Sequence, residues 1–191
     1  MLFKNKVFSE NDIKGKDFEG TSFLSCRFIN SNLRFTNFTN CKFKACDFTD
    51  VIFDSTSFTK CAFPESKLSN LNFSETQIKN CKFSNAVINN SIFQQFKDGA
   101  KNIRKDFKLT DSDFSNSDLS NSIFSKCKLE KVSFENSNLT FAVFEKCNLT
   151  QTNFIGASVD GTGFADSKIF KTKLDVQGFI KFGNSKGFVL G

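Results

Sequence analysis

Residues 38–63 read FTNCKFKACDFTDVIFDSTSFTKCAF, with a phenylalanine at every fifth position. Extended in both directions, this register gives nineteen apolar positions with no polar residue among them. They are Phe3, Phe8, Ile13, Phe18, Phe23, Phe28, Leu33, Phe38, Phe43, Phe48, Phe53, Phe58, Phe63, Leu68, Phe73, Ile78, Phe83, Ile88 and Phe93. A helix spaces its buried residues by about 3.6 and a strand by about 2, so a period of five fits neither. The pattern instead predicts a chain that turns a corner in each repeat and points one residue in five inward.

The same register resumes later in the chain, one step out of phase. The second series is Leu109, Phe114, Leu119, Phe124, Leu129, Phe134, Leu139, Phe144, Leu149, Phe154, Val159, Phe164, Ile169 and Leu174. Four repeats make a square coil of twenty residues, and coils stack at about 4.8 Å through backbone hydrogen bonds. We therefore predict an all-β solenoid of about eight coils over residues 1–174. The alternation after residue 109 predicts phenylalanine columns on two opposite faces and leucine columns on the other two.

A second inward position lies two residues before each central Phe or Leu. It mostly holds Ser, Thr, Ala or Cys, so a small side chain is predicted to flank each large one. All seven cysteines occupy this slot: Cys26, Cys41, Cys46, Cys61, Cys81, Cys127 and Cys147. We interpret them as buried free thiols that act as small apolar groups. Their odd number, with no secretory signal and no long apolar run, predicts a cytoplasmic protein.

The repeats share a motif of a small residue, Asp or Asn, a central Leu or Phe, and two variable residues. Copies include Cys46-Asp47-Phe48-Thr49-Asp50, Ser117-Asp118-Leu119-Ser120-Asn121 and Cys147-Asn148-Leu149-Thr150-Gln151. In this motif the chain resembles the pentapeptide-repeat proteins over about residues 3 to 177. The resemblance implies a right-handed quadrilateral β-helix, with the handedness taken from the resemblance alone.

Residues 94–108 interrupt the repeats, because continuing the register would bury Asp98 and Lys108. The gap of sixteen residues from Phe93 to Leu109 equals one repeat plus eleven extra residues. We favour a protruding loop or short helix, and the alternative is three degenerate repeats with one inserted residue. The segment holds five basic and two acidic residues, and insertions in solenoids often line a binding face. The predicted partner-binding residues are Phe96, Lys97, Lys101, Arg104, Lys105 and Phe107.

The two ends of the chain depart from the pattern. Lys6, Asn11 and Lys16 occupy the small inward slot, which predicts an open, frayed or capped first coil. Residues 175–191 form an apolar tail, and we predict that this segment caps the last coil and also makes a homodimer contact. The predicted dimerisation residues are Phe179, Ile180, Phe182, Phe188, Val189 and Leu190.

No catalytic constellation is visible in the sequence. The chain has no histidine, no glycine-rich phosphate loop and no metal-ligand spacing, so we predict a rod without cofactor, metal or enzymatic activity that binds a protein. In the place of the insertion at 94–108 and in the ending Lys173-Leu174-Asp175 through Gly187-Phe188-Val189-Leu190-Gly191, the chain also resembles the group of the family that protects DNA gyrase and topoisomerase IV. This group includes the Qnr-type proteins, the MfpA type and the microcin B17 immunity protein. The resemblance implies dimerisation through the C-terminal end and, as in many Qnr-type members, a mid-chain loop needed for protection.

The net charge of +6 conflicts with the mechanism that this resemblance implies, in which an acidic rod mimics DNA. A candidate acidic stripe comprises Asp47, Asp50, Asp54, Glu65 and Glu75, but lysines are interspersed with it. Either the acids concentrate near the dimer centre, or the insertion performs the recognition, or the partner differs. The alternative function is therefore a rigid scaffold for an unidentified protein. Direct binding of nucleic acid is not expected, because the phenylalanines that would stack on bases are interior.

Overall fold

A computed structural model describes residues 1–28, 31–97 and 100–191, with the backbone alone for residues 97 and 100–103. The chain folds as the quadrilateral β-helix that the five-residue period predicts. The strands are β1 Leu2–Lys4, β2 Asp17–Glu19, β3 Ser22–Leu24, β4 Asn37–Thr39, β5 Lys42–Lys44, β6 Ser57–Thr59, β7 Gln77–Lys79, β8 Ile92–Phe93, β9 Gln95–Lys97, β10 Ala100–Lys105, β11 Phe107–Lys108, β12 Ile123–Ser125, β13 Cys127–Lys128 and β14 Val143–Glu145. The helices are α1 Glu10–Ile13 and α2 Val176–Ser185. Neither described helix is long and apolar enough to cross a bilayer.

Residues one coil apart pair in parallel and in register, which builds four flat faces. Face 1 is centred on Phe3, Phe23, Phe43, Phe63, Phe83, Phe114, Phe134, Phe154 and Leu174; face 2 on Phe8, Phe28, Phe48, Leu68, Ile88, Leu119, Leu139 and Val159; face 3 on Ile13, Leu33, Phe53, Phe73, Phe93, Phe124, Phe144 and Phe164; and face 4 on Phe18, Phe38, Phe58, Ile78, Leu109, Leu129, Leu149 and Ile169. The sheet β1-β3-β5 belongs to face 1, β8-β12-β14 to face 3, and β2-β4-β6-β7 and β11-β13 to face 4.

The core consists of columns of stacked phenyl rings. On face 3, the ring centroids of Phe73, Phe93, Phe124 and Phe144 follow one another at 4.6, 4.6 and 4.8 Å with nearly parallel planes. Rings of face 1 meet them edge-on across the interior, as Phe114 meets Phe124 at 6.1 Å and 86°. Both arrangements are ones that aromatic pairs favour. The predicted placement of phenylalanine on two opposite faces after residue 109 is confirmed.

The small inward slot is filled as the sequence predicts. All seven cysteines are buried and free, and each sulfur lies near a backbone carbonyl, as Cys61 Sγ donates to Phe38 O at 3.4 Å. Burial away from water raises the pKa of Cys46 to about 12, so this thiol stays neutral. Within the described residues, no group of three or more His, Cys, Asp or Glu side chains is arranged to hold a metal ion.

Polar side chains cover the open side of the first coil. Lys6 Nζ lies 4.6 Å from the ring centroid of Phe8 and 3.1 Å from Asp12 Oδ1, while Lys16 Nζ donates to the Asp12 carbonyl at 2.6 Å. The backbone N–H and the hydroxyl of Ser9 both donate to the Asp12 carboxylate. These hydrogen bonds, together with the one from Lys6, lower the pKa of the Asp12 carboxyl far below its ordinary value. The predicted capped end is thus present, with the lysines partly or fully exposed.

Candidate partner-binding surfaces

The segment between the two series of repeats forms a β-hairpin on an otherwise regular rod. Strands β9 and β10 pair antiparallel, with Gln95 opposite Lys105 and Phe96 opposite Arg104. Across the hairpin, paired residues on the two flanking coils are 31 apart instead of 20, as in the bridge between Ile123 and Ile92. The difference of eleven residues matches the length expected from the sequence. The segment is therefore an insertion, and both the short helix and the alternative of three degenerate repeats are wrong.

Arg104 fastens the hairpin to face 3 of the rod. Its Nη1 atom lies 2.9 Å from Glu145 Oε2 and donates to Ser125 Oγ at 3.0 Å. The Arg104 carbonyl in turn accepts from Lys126 Nζ at 3.2 Å. Lys146, Ser125 and Arg104 together lower the pKa of the Glu145 carboxyl, so this anchor is charged at neutral pH. The hairpin thus lies against the next two coils instead of standing free.

The other predicted partner-binding residues differ in accessibility. Phe96 is half-buried in β9, and Arg104 and Lys105 are exposed in β10. The side chains of Lys97 and Lys101 lie outside the described part of the structure. Of this set, the exposed residues of β10 remain candidates for contact, although Arg104 already contacts the rod.

Phe107 is a correction to the predicted set. Its side chain is 1% exposed, so it belongs to the core and is not available to a partner. The register of inward slots restarts at Phe107, two residues before Leu109, and Phe107 pairs with Cys127 of the next coil. The predicted set includes Phe107 because it lies within the interruption at residues 94–108.

Removing the charge of Glu145 is expected to loosen the hairpin without unfolding the rod. In Glu145→Gln, trypsin is expected to cut the hairpin faster, because Arg104 loses its charged partner while every Lys and Arg cleavage site remains. The free energy of unfolding in urea is expected to change by less than about 1 kcal/mol, since the pair is partly exposed. Glu135→Gln, which removes a charge from face 1, is the matched control. Equal digestion rates for the two variants would show that this anchor does not hold the hairpin.

The C-terminal tail forms helix α2 and an apolar groove. Asp175 caps the helix by accepting from Gly178 N at 2.7 Å, and Gly178 packs where a β-carbon would lie 2.5 Å from Leu174 Cδ1. Phe182 meets the core ring of Phe164 edge-on at 5.6 Å, so the helix covers the last coil.

The predicted dimerisation residues divide between the helix and the chain end. Ile180 and Phe182 are half-buried, whereas Phe179, Phe188, Val189 and Leu190 are exposed. All except Phe182 line a groove of about 240 Å³. The groove therefore leaves an apolar surface at the end of the rod.

Charge is segregated between opposite faces of the rod. Face 4 and its corners carry eight lysines: Lys16, Lys60, Lys79, Lys108, Lys128, Lys131, Lys168 and Lys171. The acids of face 4 are Asp17, Glu19, Asp111 and Glu130. Face 2 is the reverse, with the five acids Glu10, Asp47, Asp50, Asp118 and Asp160 against Lys6, Arg27 and Lys67. The net charge of +6 therefore conceals one basic and one acidic side.

The acidic stripe expected from the sequence is spread over three faces. Asp47 and Asp50 lie on face 2, Asp54 and Glu75 on face 3, and Glu65 on face 1. The lysines of face 4 were not identified from the sequence. Reading every twentieth residue instead of every fifth would have found them, because Lys108, Lys128 and Lys168 share one column.

Comparison of the sequence with family models identifies its repeats. The model of the pentapeptide repeat region matches residues 36–97 and 107–177, and a model of eight pentapeptide repeats matches residues 17–50. The two segments of the first match flank most of the hairpin. No curated protein sequence matches the chain significantly.

Solved structures with the same fold cover almost the whole chain. Trypsin-treated QnrB1, a plasmid-mediated fluoroquinolone resistance protein, superposes with a TM-score of 0.75 at 18% identity, covering 100% of this chain and 99% of that one. HetL, involved in heterocyst differentiation regulation in the cyanobacterium Nostoc sp. strain PCC 7120, gives 0.52 at 16% identity, covering 91% and 87%. At these identities the likeness establishes the fold.

Proposed function

Because this chain belongs to the pentapeptide-repeat family, we propose that it is a non-enzymatic protein-binding rod whose partner is a type II topoisomerase. In this proposal it binds DNA gyrase or topoisomerase IV and protects the enzyme from quinolone-type or peptide poisons. The observation that carries the proposal is the basic hairpin at residues 95–105, held on face 3 by Arg104 and Glu145. The correspondence with QnrB1, a fluoroquinolone resistance protein, over the full length of both chains supports it.

The segregation of charge supports the proposal despite the net charge of +6. A partner contacts one face of a rod at a time, so the local potential matters more than the sum. Face 2 offers acids to a basic protein surface, and the hairpin and face 4 offer lysines to an acidic one. The proposal therefore does not require the whole rod to mimic DNA.

We further propose that the protein works as a homodimer in the cytoplasm. The apolar groove formed by α2 and residues 188–190 is a surface that a second copy would cover. Seven free thiols suit a reducing compartment.

A general scaffold with another protein partner is the second candidate. The lysines of face 4 favour it, because they suit an acidic partner and not the basic DNA-binding surface of a topoisomerase. In this alternative the rod and hairpin keep their roles, and only the partner differs.

The test is a DNA gyrase supercoiling assay with a quinolone, with and without this protein, at several salt concentrations. Rescue of supercoiling that weakens as salt rises is expected, because charged surfaces are screened. The same assay with topoisomerase IV decatenation extends it to the second enzyme. Absence of both rescue and inhibition in the two assays would reject the topoisomerase and favour the general scaffold.

A further inference from the structure

The sheet of face 4 is split at one level of the rod. The sheet β2-β4-β6-β7 ends at β7, and the next strand of the face, β11, pairs only with β13 above it. Among the described residues, no backbone bridge joins Gln77 to Lys108. On the other three faces, the residues that flank the same insertion remain bridged, for example Lys82 with Asp113. The split is therefore local to face 4.

The missing hydrogen bonds leave two strand edges open. In the two coils below, the equivalent backbone bonds are 2.8–3.0 Å long. Within the described part of the chain, Asn80 N–H makes no such bond to Thr110 and Lys108 N–H makes none to Thr76. The Thr76 carbonyl instead accepts from the side-chain Nε2 of Gln95 at 3.0 Å. Among the described residues, the backbone N–H groups of Asn80 and Lys108 thus have no partner across the split.

Two features of the insertion explain why the strands separate here. Phe107 fills an inward slot that threonine occupies in the coil below and cysteine in the coil above, so a large ring replaces a small side chain. Its centroid lies 6.4 Å from the Phe93 ring, which places it against the core of the neighbouring face. The hairpin also leaves the rod at this coil. The side chain of Gln95 there donates to the Thr76 carbonyl in place of a backbone N–H of the next coil.

The split opens a groove of about 620 Å³ between β7 and β11. Ile78 and Phe107 line it as buried apolar residues, while Lys79 and Lys108 are exposed at its sides. The acids that line it are Asp106, which is paired with Lys128 at 2.9 Å, and Asp111. Its volume is within the range of ligand sites.

We infer that this groove binds an extended acidic peptide segment of a partner protein, which adds as a strand to the open edge of β7. An unpaired strand edge is a template for pairing with another backbone, and strand addition is a common mode of peptide recognition. The lysines on both sides of the groove, Lys79 and Lys108, select acidic side chains. Nucleic acid is not favoured, because among the described residues no exposed aromatic side chain lines the groove to stack on bases.

The inference rests on the proposed protein-binding role but not on the topoisomerase as the partner. Peptide binding without rescue of gyrase would leave the inference standing and reject the enzyme. Rescue of gyrase without peptide binding would reject the inference and leave the topoisomerase as the partner.

The test is an NMR titration of the ¹⁵N-labelled full chain with the capped hexapeptide Val-Glu-Val-Glu-Val-Glu. The amide signals of Asn80, Lys108 and Thr110 are expected to shift, and the first two amides are expected to exchange more slowly with solvent. The same peptide with its valine nitrogens methylated keeps the charge but loses half of its N–H donors, so it is expected to bind at least about ten-fold more weakly. Equal binding of the methylated peptide would overturn strand addition.

Charge reversal on the protein provides the second test. Lys79→Glu combined with Lys108→Glu is expected to weaken the hexapeptide about ten-fold or more. Lys168→Glu combined with Lys171→Glu makes the same charge change on face 4 away from the groove and is expected to have less than about a two-fold effect. Equal losses for the two pairs would show attraction to the whole face and overturn the groove as the site. Binding of a six-nucleotide single-stranded DNA at the same amides with equal affinity would overturn the assignment to a peptide.

Discussion

Replacing Phe124 with alanine is expected to lower the free energy of unfolding by about 3–5 kcal/mol. The side chain is 0% exposed and its ring stacks between Phe93 at 4.6 Å and Phe144 at 4.8 Å. It also meets Phe114 and Phe134 edge-on. The substitution leaves a cavity whose walls are fixed by the backbone ladder, so little relaxation is available. Urea unfolding followed by circular dichroism measures the loss.

The expected loss also reflects the one-dimensional build of the rod. In a solenoid each coil contacts only its neighbours, so stability is close to a sum of coil and interface contributions. Phe124 contacts the coils on both sides, and its removal weakens two interfaces at the middle of the chain. A lower denaturant slope is expected with the lower midpoint, because the two halves of the rod begin to unfold separately.

Phe141→Ala is the matched control for Phe124. Phe141 is 62% exposed at a corner, and its backbone φ of +58° is in the left-handed region. A change within about 0.5 kcal/mol is expected, because little apolar surface is lost. If both variants lost the same stability, the phenyl columns would not be the principal source of stability.

The sequence predicted nearly every core position of this protein because one rule repeats more than thirty times; the exception is Ile169, a predicted inward position of the last coil whose side chain is 59% exposed. Each central Phe or Leu fixes which of its neighbours point inward and which point outward. Because the period is strict, one repeat predicts the orientation of the next. The same reasoning gave the eleven-residue length of the insertion, since Phe93 and Leu109 both had to point inward. It also explains why Lys6 and Lys16 signalled an end of the rod.

The sequence did not predict the features that lie outside the repeat. A fifteen-residue break has no period, so the hairpin, its anchor at Glu145 and the inward direction of Phe107 depend on tertiary contacts. Face 4 is basic because lysines recur there at spacings of twenty residues. The five-residue pattern shows which residues point outward but not which of them share a face. The split between β7 and β11 depends on the inward direction of Phe107 and on the hydrogen bond from Gln95 to the Thr76 carbonyl, neither of which the repeat predicts.

Deleting residues 95–105 is expected to abolish protection of gyrase while leaving the rod folded. The deletion joins Gln94 to Asp106 and restores the twenty-residue spacing between Ile78 and Leu109, so the columns remain continuous. Far-ultraviolet circular dichroism and the unfolding midpoint check the fold, and supercoiling with a quinolone checks the function. The loss of the contact between Arg104 and Glu145 is expected to cost less than about 1 kcal/mol.

A second variant separates the surface of the hairpin from its length. Replacing residues 95–105 with eleven Gly and Ser residues keeps the insertion but removes its four basic side chains and its pairing. If the hairpin recognises the enzyme, both the deletion and the replacement lose protection. If only the deletion loses protection, an open insertion between faces 3 and 4 is sufficient and the basic residues are not the contact. If both variants fold and still protect, recognition belongs to the faces of the rod, and the acids of face 2 become the surface to test next.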